Sequence, residues 1–339
     1  MKNVNCKIRD IDEFGGAVLD LTPSELAELG FELGDTLDFH FSNGTILEKV
    51  PYYNGYYTEL GVPVLVAYPG YTYPTINLNG GNFTHQSGVR SRDSVTIIMH
   101  EKGGKKDVMD LRGVVYSNDP EDYRTLDQFA NARMFCPGKI APGKLYRCAS
   151  PFDRIMNRPD AVSAFLENNS VRSTLSLSES DNTLKLSYAD MPSYSKKIYE
   201  SGCAVPLRMG ADYFSEAFRE KLVSGLCRIM EKPLPWAIHC LEGKDRTGFV
   251  CVVLGAFMDA GHQELVDDFM VTYDNYYGIT EASDSFRYNG FRNTFVEKYL
   301  CIFREADPDG QSFRKGAEDY LRSGGMSDAQ MEKLRDLIS

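Results

Sequence analysis

Short apolar runs alternate with turn residues through the first third of the chain. Runs rich in β-branched and aromatic residues occupy positions 37–41, 46–50, 64–68, 76–78, 94–99 and 107–116. Glycine-containing turns separate them, and Gly103-Gly104 predicts a hairpin before the last run. Thr22, Pro23 and Glu25 match a capping box, which predicts one short helix. Strands at this spacing are typical of a small barrel or sandwich, so we predict a smaller, mostly-β domain over residues 1–120.

The pattern changes beyond a polar stretch at residues 117–122. Apolar residues at helical spacing predict helices over 214–230, 247–260 and 263–277, and from the Ser327–Gln330 capping box onward. Apolar strands are predicted at 171–176 and 236–239, the first after a helix capped by Asp160. Because strands alternate with helices, we predict an α/β domain over residues 121–339, with a central, mostly parallel sheet flanked by helices.

Composition and charge favour a soluble protein of two domains. The chain has 339 residues, of which 42% are hydrophobic and 25% charged, and a formal charge of −11. That charge argues against nucleic acid as a partner, because phosphate backbones favour clustered Lys and Arg. The longest strongly apolar run, 249–258, is too short to cross a bilayer, and the start of the chain lacks an apolar leader segment. We therefore expect no membrane insertion and a cytoplasmic location.

Eight cysteines are spread along the chain without a Cys-x-x-Cys pair. Pairs at that spacing are the usual sign of a zinc site, and densely placed cysteines mark small disulfide-bonded domains. Neither pattern is present in the sequence. We therefore expect no metal site, a reducing environment and at least one thiol available for chemistry.

Candidate chemistry concentrates between the strand predicted at 236–239 and the helix that follows it. The segment reads His239-Cys240-Leu241-Glu242-Gly243-Lys244-Asp245-Arg246-Thr247-Gly248. Five residues separate Cys240 from Arg246, enough for the backbone to curl with its N–H groups inward. The start of the following helix favours a bound anion, and Arg246 can hold two phosphate oxygens in a planar fork. We therefore predict a phosphate-binding loop lined by Leu241, Glu242, Gly243, Lys244, Thr247 and Gly248.

The same environment makes Cys240 the candidate nucleophile. Helix N-termini and neighbouring cations favour the thiolate form of a cysteine, and a thiolate can attack phosphorus in line with the leaving group. Thr247 is predicted to donate its hydroxyl to that sulfur. We expect His239 to brace the loop from behind rather than to contact substrate.

A cysteine six residues before an arginine is a weak signal alone, and Cys148 with Arg154 repeats it. That copy contains no glycine, and Pro151 removes an N–H from the middle of the would-be loop. We interpret it as coincidence. A buried structural cysteine in a polar turn is the alternative interpretation of Cys240.

The segment from His239 to Gly248 resembles the signature of the protein tyrosine phosphatase superfamily. Its Gly-Lys-Asp-Arg-Thr sequence is similar to that of a bacterial group of tyrosine phosphatases with some phosphoinositide activity. The resemblance covers about residues 128–339. It implies hydrolysis of phosphomonoesters through a cysteinyl-phosphate on Cys240, with no metal or cofactor. One departure is the Thr174-Leu175-Ser176-Leu177 stretch, which stands where the group usually has Asp-Leu-Arg.

Two aspartates are candidates for the general acid that protonates the leaving oxygen. The resemblance implies Asp245, inside the loop and directly before the arginine. The alternative is Asp212, upstream on a segment that suits a mobile loop, although the same residue would serve as a cap for the helix that follows it.

Two charged side chains in the loop are compatible with more than one class of substrate. Glu242 would repel phosphate if it pointed inward, so we expect it to face outward or to pair with Lys244 or Arg208. Lys244 either contacts a further phosphate on an inositol ring or neutralises Glu242.

Several functions remain as hypotheses. The leading one is a phosphatase acting on phosphotyrosine in a phosphorylated protein, with a phosphoinositide or inositol phosphate as the alternative substrate. A rhodanese-like sulfurtransferase and a non-catalytic phosphate-binding module are the other candidates. Residues 1–120 carry no motif with a chemical role, and recruitment of a partner is the hypothesis for them.

Overall fold

The computed structural model describes residues 2–59, 61–305 and 312–339. The chain divides into two compact units, Met1–Val115 and Tyr116–Ser339. The polar stretch at 117–122 belongs to the second unit, where Arg158 donates a hydrogen bond to the Ser117 carbonyl at 3.2 Å. Across these described ranges, no helix has the length and hydrophobicity needed to cross a membrane.

The first unit is built on a closed barrel. Its strands are β1 (Asn3–Ile11), β2 (Ala17–Leu19), β3 (Thr36–Phe41), β4 (Ile46–Tyr53), β5 (Pro63–Val66), β6 (Thr75–Leu78) and β7 (Ser94–Glu101). They close in the order β1-β2-β6-β5-β4-β3-β7, and all neighbours are antiparallel except β4 with β5. Alternate residues of β3, Leu37, Phe39 and Phe41, point into the core with Val95 and Ile97 of β7. The predicted mostly-β barrel is confirmed.

Short helices α1 (Pro23–Glu28), α2 (Phe83–Ser87) and α3 (Lys106–Arg112) accompany the barrel. The capping box of α1 is confirmed, because the Thr22 hydroxyl accepts from the Glu25 amide at 3.2 Å and the Glu25 carboxylate accepts from the Thr22 amide at 2.7 Å. The strand predicted at 107–116 is wrong. A helix, α3, occupies most of it, because the adjacent Val108 and Met109 both pack against one small apolar cluster, and the turn at Gly103-Gly104 leads into that helix rather than a hairpin.

The second unit combines a five-stranded sheet with many helices. The strands are β8 (Arg133–Met134), β9 (Leu145–Cys148), β10 (Ser173–Ser176), β11 (Ala204–Pro206) and β12 (Trp236–His239). The helices are α4 (Leu126–Phe129), α5 (Pro159–Asn168), α6 (Asp181–Ser187), α7 (Ser193–Glu200), α8 (Glu216–Ile229), α9 (Asp245–Phe257), α10 (His262–Tyr277), α11 (Ser285–Thr294), α12 (Val296–Glu305), α13 (Arg314–Ser323) and α14 (Asp328–Ile338). Single 3₁₀ turns lie at Pro120–Asp122 and Tyr188–Asp190.

The sheet order β11-β10-β12-β9-β8 gathers three strand ends at one edge. Strands β11, β10, β12 and β9 are mutually parallel, and β8 is antiparallel to β9. Ser176, His239 and Cys148 end their strands in register with one another. This carboxyl edge is where open α/β sheets place ligands, and the segment of candidate chemistry begins there.

Helix boundaries mostly follow the sequence pattern. Strand β12 has the predicted bounds, and the Ser327–Gln330 capping box of α14 is confirmed. The cap predicted at Asp160 is wrong: α5 begins at Pro159, so Asp160 lies inside its first turn and pairs with Arg154 instead. Helix α9 begins at Asp245, before the predicted start, and is buried from Thr247 to Phe257.

Candidate active site

The segment from Cys240 to Arg246 forms a tight loop at the carboxyl edge of the sheet. Cys240 follows β12 directly and is 3% exposed, and residues 241–244 bend sharply before α9 starts at Asp245. The short path from strand to helix therefore keeps Cys240 close to the start of a largely buried helix. The positive end of such a helix favours an anion.

Three consecutive loop carbonyls are held by donors outside the loop. The Leu241 carbonyl accepts from the Ser150 amide at 3.1 Å. The Glu242 carbonyl accepts from the Asn131 side-chain amide at 3.1 Å and from the Tyr276 hydroxyl at 2.5 Å. These bonds tie the first half of the loop to the segment after β9, to Asn131 two residues before β8, and to α10.

The third carbonyl, that of Gly243, is held by a buried arginine. Arg147 donates to it at 3.0 Å and Asn131 donates at 3.2 Å. Arg147 also pairs with Asp268, which accepts from Arg133 at 3.0 Å. Burial would raise the pKa of Asp268, but these two arginines lower it below its ordinary value. The loop is therefore backed by a charged network in which the carboxylate is ionised.

The direction of these carbonyls fixes the direction of the loop amides. The peptide bonds here are trans, and in a trans peptide the N–H points opposite to the preceding C=O. With the carbonyls of residues 241–243 turned toward the backing network, the N–H groups of Glu242, Gly243 and Lys244 point the other way. Converging N–H groups at a helix start form an anion-binding concavity.

Glycine is required at position 243 for two reasons, the backbone conformation and a close contact with β9. Its φ is +65°, a conformation that glycine adopts without steric cost. A β-carbon at this position would lie 2.3 Å from the Cys148 carbonyl oxygen, closer than two such atoms can approach. The loop therefore packs directly on the end of β9, and only glycine allows it.

Arg246 lies close to the candidate nucleophile. Its Nη1 donates to the Met209 carbonyl at 2.9 Å, which anchors the guanidinium to the segment after β11. Burial would lower the pKa of Arg246, but the nearby Cys240, Tyr213 and Glu179 raise it above its ordinary value. The first and last residues of the loop are thus within electrostatic range of each other.

Glu242 and Lys244 form a buried ion pair. The Lys244 ammonium lies 2.8 Å from the Glu242 carboxylate and donates to the Tyr277 hydroxyl at 3.2 Å. The side chains of Glu242 and Lys244 are only 4% and 15% exposed. Of the alternatives drawn from the sequence, Glu242 does not face solvent, and it pairs with Lys244.

The two candidate acids differ in their surroundings. Asp245 is the first residue of α9, and its side chain is 46% exposed and 3.8 Å from the Lys244 ammonium. Asp212 accepts from the Ser215 hydroxyl at 2.6 Å, and its main-chain carbonyl accepts from the Ser215 amide at 2.8 Å. The cap considered for Asp212 is wrong, because Ser215 is the residue that caps α8. Asp212 is therefore engaged in the turn that starts a helix.

The hydrogen bond predicted from Thr247 to the Cys240 sulfur is not formed. Thr247 lies on the inner side of α9, where its hydroxyl is buried and has no hydrogen-bond partner among the described residues.

His239 is fully buried beneath the loop, with Nδ1 3.8 Å from the Glu179 carboxylate. Burial lowers the pKa of His239, although Glu179 opposes that shift. Gly248 packs on Phe269, whose ring leaves no room for a β-carbon.

The second Cys-to-Arg spacing does not form a loop of this kind. Cys148 ends β9 and is fully buried, whereas Arg154 pairs with Asp160 at 2.8 Å and donates to the Asp190 carbonyl at 2.8 Å. Its interpretation as coincidence agrees with this geometry.

Several residues that shape the site were missed from the sequence: Asn131, Arg147, Glu179, Asp268 and Tyr276. They lie outside residues 240–248 in the chain, so the pattern of the loop does not reveal their contacts with it. One available signal is the missing Asp-Leu-Arg at 174–177, which points to another carboxylate nearby. Glu179, shortly after that stretch, is a buried carboxylate near the loop.

Comparison with known proteins identifies the larger part of the chain. One solved structure with limited similarity is that of an uncharacterized conserved protein from Thermotoga maritima, which is 15% identical, with a TM-score of 0.26 over 29% of this chain. The chain covers 36% of that protein, and so partial a similarity is not evidence for a shared fold or function. No curated protein matches the sequence significantly. The sequence model of the tyrosine phosphatase family matches residues 106–339. The chain therefore belongs to the tyrosine phosphatase family.

Proposed function

We propose that this protein hydrolyses phosphomonoesters, with phosphotyrosine as the substrate, through a cysteinyl-phosphate on Cys240. The observation that carries the proposal is the turning of three consecutive carbonyls, those of residues 241–243, away from the inner side of the loop. The amide N–H groups of residues 242–244 then point to the opposite side of the loop, which supports an anion site there. Preorganised donors of this kind stabilise the charge that develops on phosphoryl oxygens in the transition state.

In the first step, the Cys240 thiolate attacks phosphorus, and an S–P bond forms as the bond to the ester oxygen breaks. Asp245 gives its proton to the departing oxygen, and Arg246 holds two of the phosphoryl oxygens. In the second step, Asp245 takes a proton from water as the water oxygen bonds to phosphorus. The S–P bond breaks, which releases inorganic phosphate and restores the thiolate.

Asp245 is preferred to Asp212 as the acid for a geometric reason. Its carboxylate stands half-exposed at the start of α9, directly after the bent segment and next to Arg246 in the chain. Asp212 accepts the Ser215 hydroxyl in a helix-starting turn, and that bond would have to break before the residue could protonate a substrate.

The buried Glu242–Lys244 pair favours phosphotyrosine over a phosphoinositide. A lysine that binds a second phosphate must direct its ammonium at the ligand. Lys244 is instead held by Glu242 at 2.8 Å and by the Tyr277 hydroxyl, so a second phosphate would have to compete with a carboxylate in a poorly hydrated site. A substrate with one phosphate on an aromatic ring makes no such demand.

The test is turnover of p-nitrophenyl phosphate and a phosphotyrosine peptide by wild type, Cys240→Ser and Arg246→Ala. We expect both variants to lose turnover, and Arg154→Ala, the arginine of the other Cys-to-Arg pair, to retain it. Turnover that survives in Cys240→Ser would refute the proposal. Thiosulfate turnover without phosphate release would favour sulfur transfer, and tight phosphopeptide binding without release would favour a binding module.

A further inference from the structure

A buried carboxylate beside the loop has no role in the steps above. Glu179 is 5% exposed and follows the end of β10. Burying a carboxylate is costly unless its oxygens are hydrogen-bonded. Three serine hydroxyls donate to this one: Ser150, Ser176 and, at 2.6 Å, Ser178. A side chain held this firmly fixes the backbone of its own residue as well as the serines that surround it.

One connection runs from Glu179 to the first half of the loop. Ser150 donates its hydroxyl to the Glu179 carboxylate and its amide to the Leu241 carbonyl at 3.1 Å. The same hydroxyl accepts from the amides of Phe152 and Asp153 at 3.1 and 3.0 Å. The segment after β9 is therefore folded around the Ser150 hydroxyl, and Glu179 fixes the direction of that hydroxyl.

A second connection runs from Glu179 to the arginine at the other end of the loop. The Glu179 carbonyl accepts from the Arg208 amide at 2.9 Å, and the next residue, Met209, accepts from Arg246 at 2.9 Å. Arg208 has a φ of +46°, which an L-residue adopts only when its surroundings impose it. The bond from Glu179 is one of those constraints, beside the bonds that the Leu207 and Met209 amides donate to the Ser176 and Leu177 carbonyls at 2.9 and 2.8 Å. It therefore contributes to the position of the carbonyl that anchors Arg246.

We propose that Glu179 is a positioning residue for the phosphate-binding loop: its carboxylate holds Ser150 against Leu241, and its main chain holds the 208–209 segment that orients Arg246. Glu179 reaches both ends of the loop without contacting substrate. The inference rests on the proposed function for its effect on turnover, whereas its effect on the geometry of the loop is independent of any activity.

The experiment compares Glu179→Ala, Glu179→Gln and Ser150→Ala in the full chain. Hydrogen exchange is measured for the amides of residues 207–209 and 241–246, together with orthovanadate affinity and kcat for p-nitrophenyl phosphate. Met331→Ala, which truncates an apolar side chain in the core under α14, serves as a destabilised control. If the role of Glu179 is purely structural, Glu179→Ala should lower thermal stability as Met331→Ala does. It should then not speed hydrogen exchange specifically in residues 207–209 and 241–246.

We expect Glu179→Ala to speed exchange in both segments, to weaken orthovanadate binding and to lower kcat about 100-fold, the effect of displacing a reacting group by about 1 Å. Glu179→Gln should show smaller changes in exchange, orthovanadate affinity and kcat, because its amide oxygen still accepts a hydrogen bond from a serine hydroxyl. Ser150→Ala should speed exchange in 241–246 and leave 207–209 near wild type.

Two results would overturn the inference. The first is exchange and orthovanadate affinity in Glu179→Ala that match those of Met331→Ala. The second result applies if Glu179→Ala does not fold: it is hydrogen exchange at the wild-type rate in both Glu179→Gln and Ser150→Ala. A wild-type protein that neither binds orthovanadate nor releases phosphate would refute the proposed function instead, and hydrogen exchange alone would then decide the role of Glu179.

Discussion

Replacing Gly243 by alanine should damage both the stability of the second unit and the binding of an oxyanion. Two costs add at this position. An L-residue at φ +65° costs about 1–2 kcal/mol. The new β-carbon would also lie 2.3 Å from the Cys148 carbonyl oxygen and 2.8 Å from the Ala149 amide, and overpacking of this kind costs about 1–3 kcal/mol. The expected loss in unfolding free energy is therefore about 2–5 kcal/mol.

Gly202 offers a matched control. Its φ is +66°, and a β-carbon there would meet no atom within 4 Å. Gly202→Ala should thus cost only the conformational part, about 1–2 kcal/mol. The difference between the two variants isolates the contact between the loop and β9.

The assay is urea unfolding followed by the fluorescence of Trp236, the single tryptophan of the chain, which is buried in β12. The signal reports on the sheet beneath the loop. Orthovanadate affinity is measured alongside, because the loop can relieve the clash by moving off β9 at the expense of its anion-binding shape. Equal unfolding free energies and equal orthovanadate affinities in the two variants would refute the reasoning.

The other predictions concern carboxylates of the site. Asp245→Asn should lower kcat on a phosphotyrosine peptide about 100-fold or more and Asp212→Asn should leave it near wild type; steady-state kinetics with the opposite order would exchange the two roles. Glu242→Gln should release Lys244 and raise kcat/KM for a phosphoinositide relative to the peptide, since the ammonium of a buried pair is left uncompensated until an anion replaces its partner; an unchanged ratio contradicts that assignment. Asp268 has a lowered pKa, so its charge stabilises the fold above the pKa of an unfolded aspartate, about 3.9, and this stabilisation is lost as the pH falls further. Asp268→Asn should cost about 3–5 kcal/mol at neutral pH and flatten the pH dependence of urea unfolding below about pH 4; an acid limb as steep as that of wild type would argue against it.

Local patterns gave reliable predictions where a short segment contains its own stabilising contacts. The capping boxes at Thr22 and Ser327 satisfy helix-end amides within one turn, and both are present. Strand β12 has its predicted bounds because four buried residues precede a polar loop. Helix α9 begins at Asp245, earlier than its apolar content indicated, since a first turn tolerates charged residues.

The strand predicted after β7 is wrong because the apolar residues of this segment fit more than one pattern. Val108 and Met109 contact the cluster around Tyr53, and this contact favours a helix over the strand. Asp107 in the first turn and Arg112 in the last turn complement the helix dipole and also favour a helix.

A cysteine and an arginine that bracket a glycine-containing loop between a strand and a helix can be recognised from the order of residues alone, because they are close together in the chain. The contacts that hold this loop in shape become visible only in the folded protein. Asn131, Arg147 and Tyr276 turn its carbonyls outward, and Glu179 secures both of its ends. Such contacts join residues far apart in the chain, so no local pattern encodes them; they exist only once the parallel sheet has brought the ends of β9, β10 and β12 to a common edge.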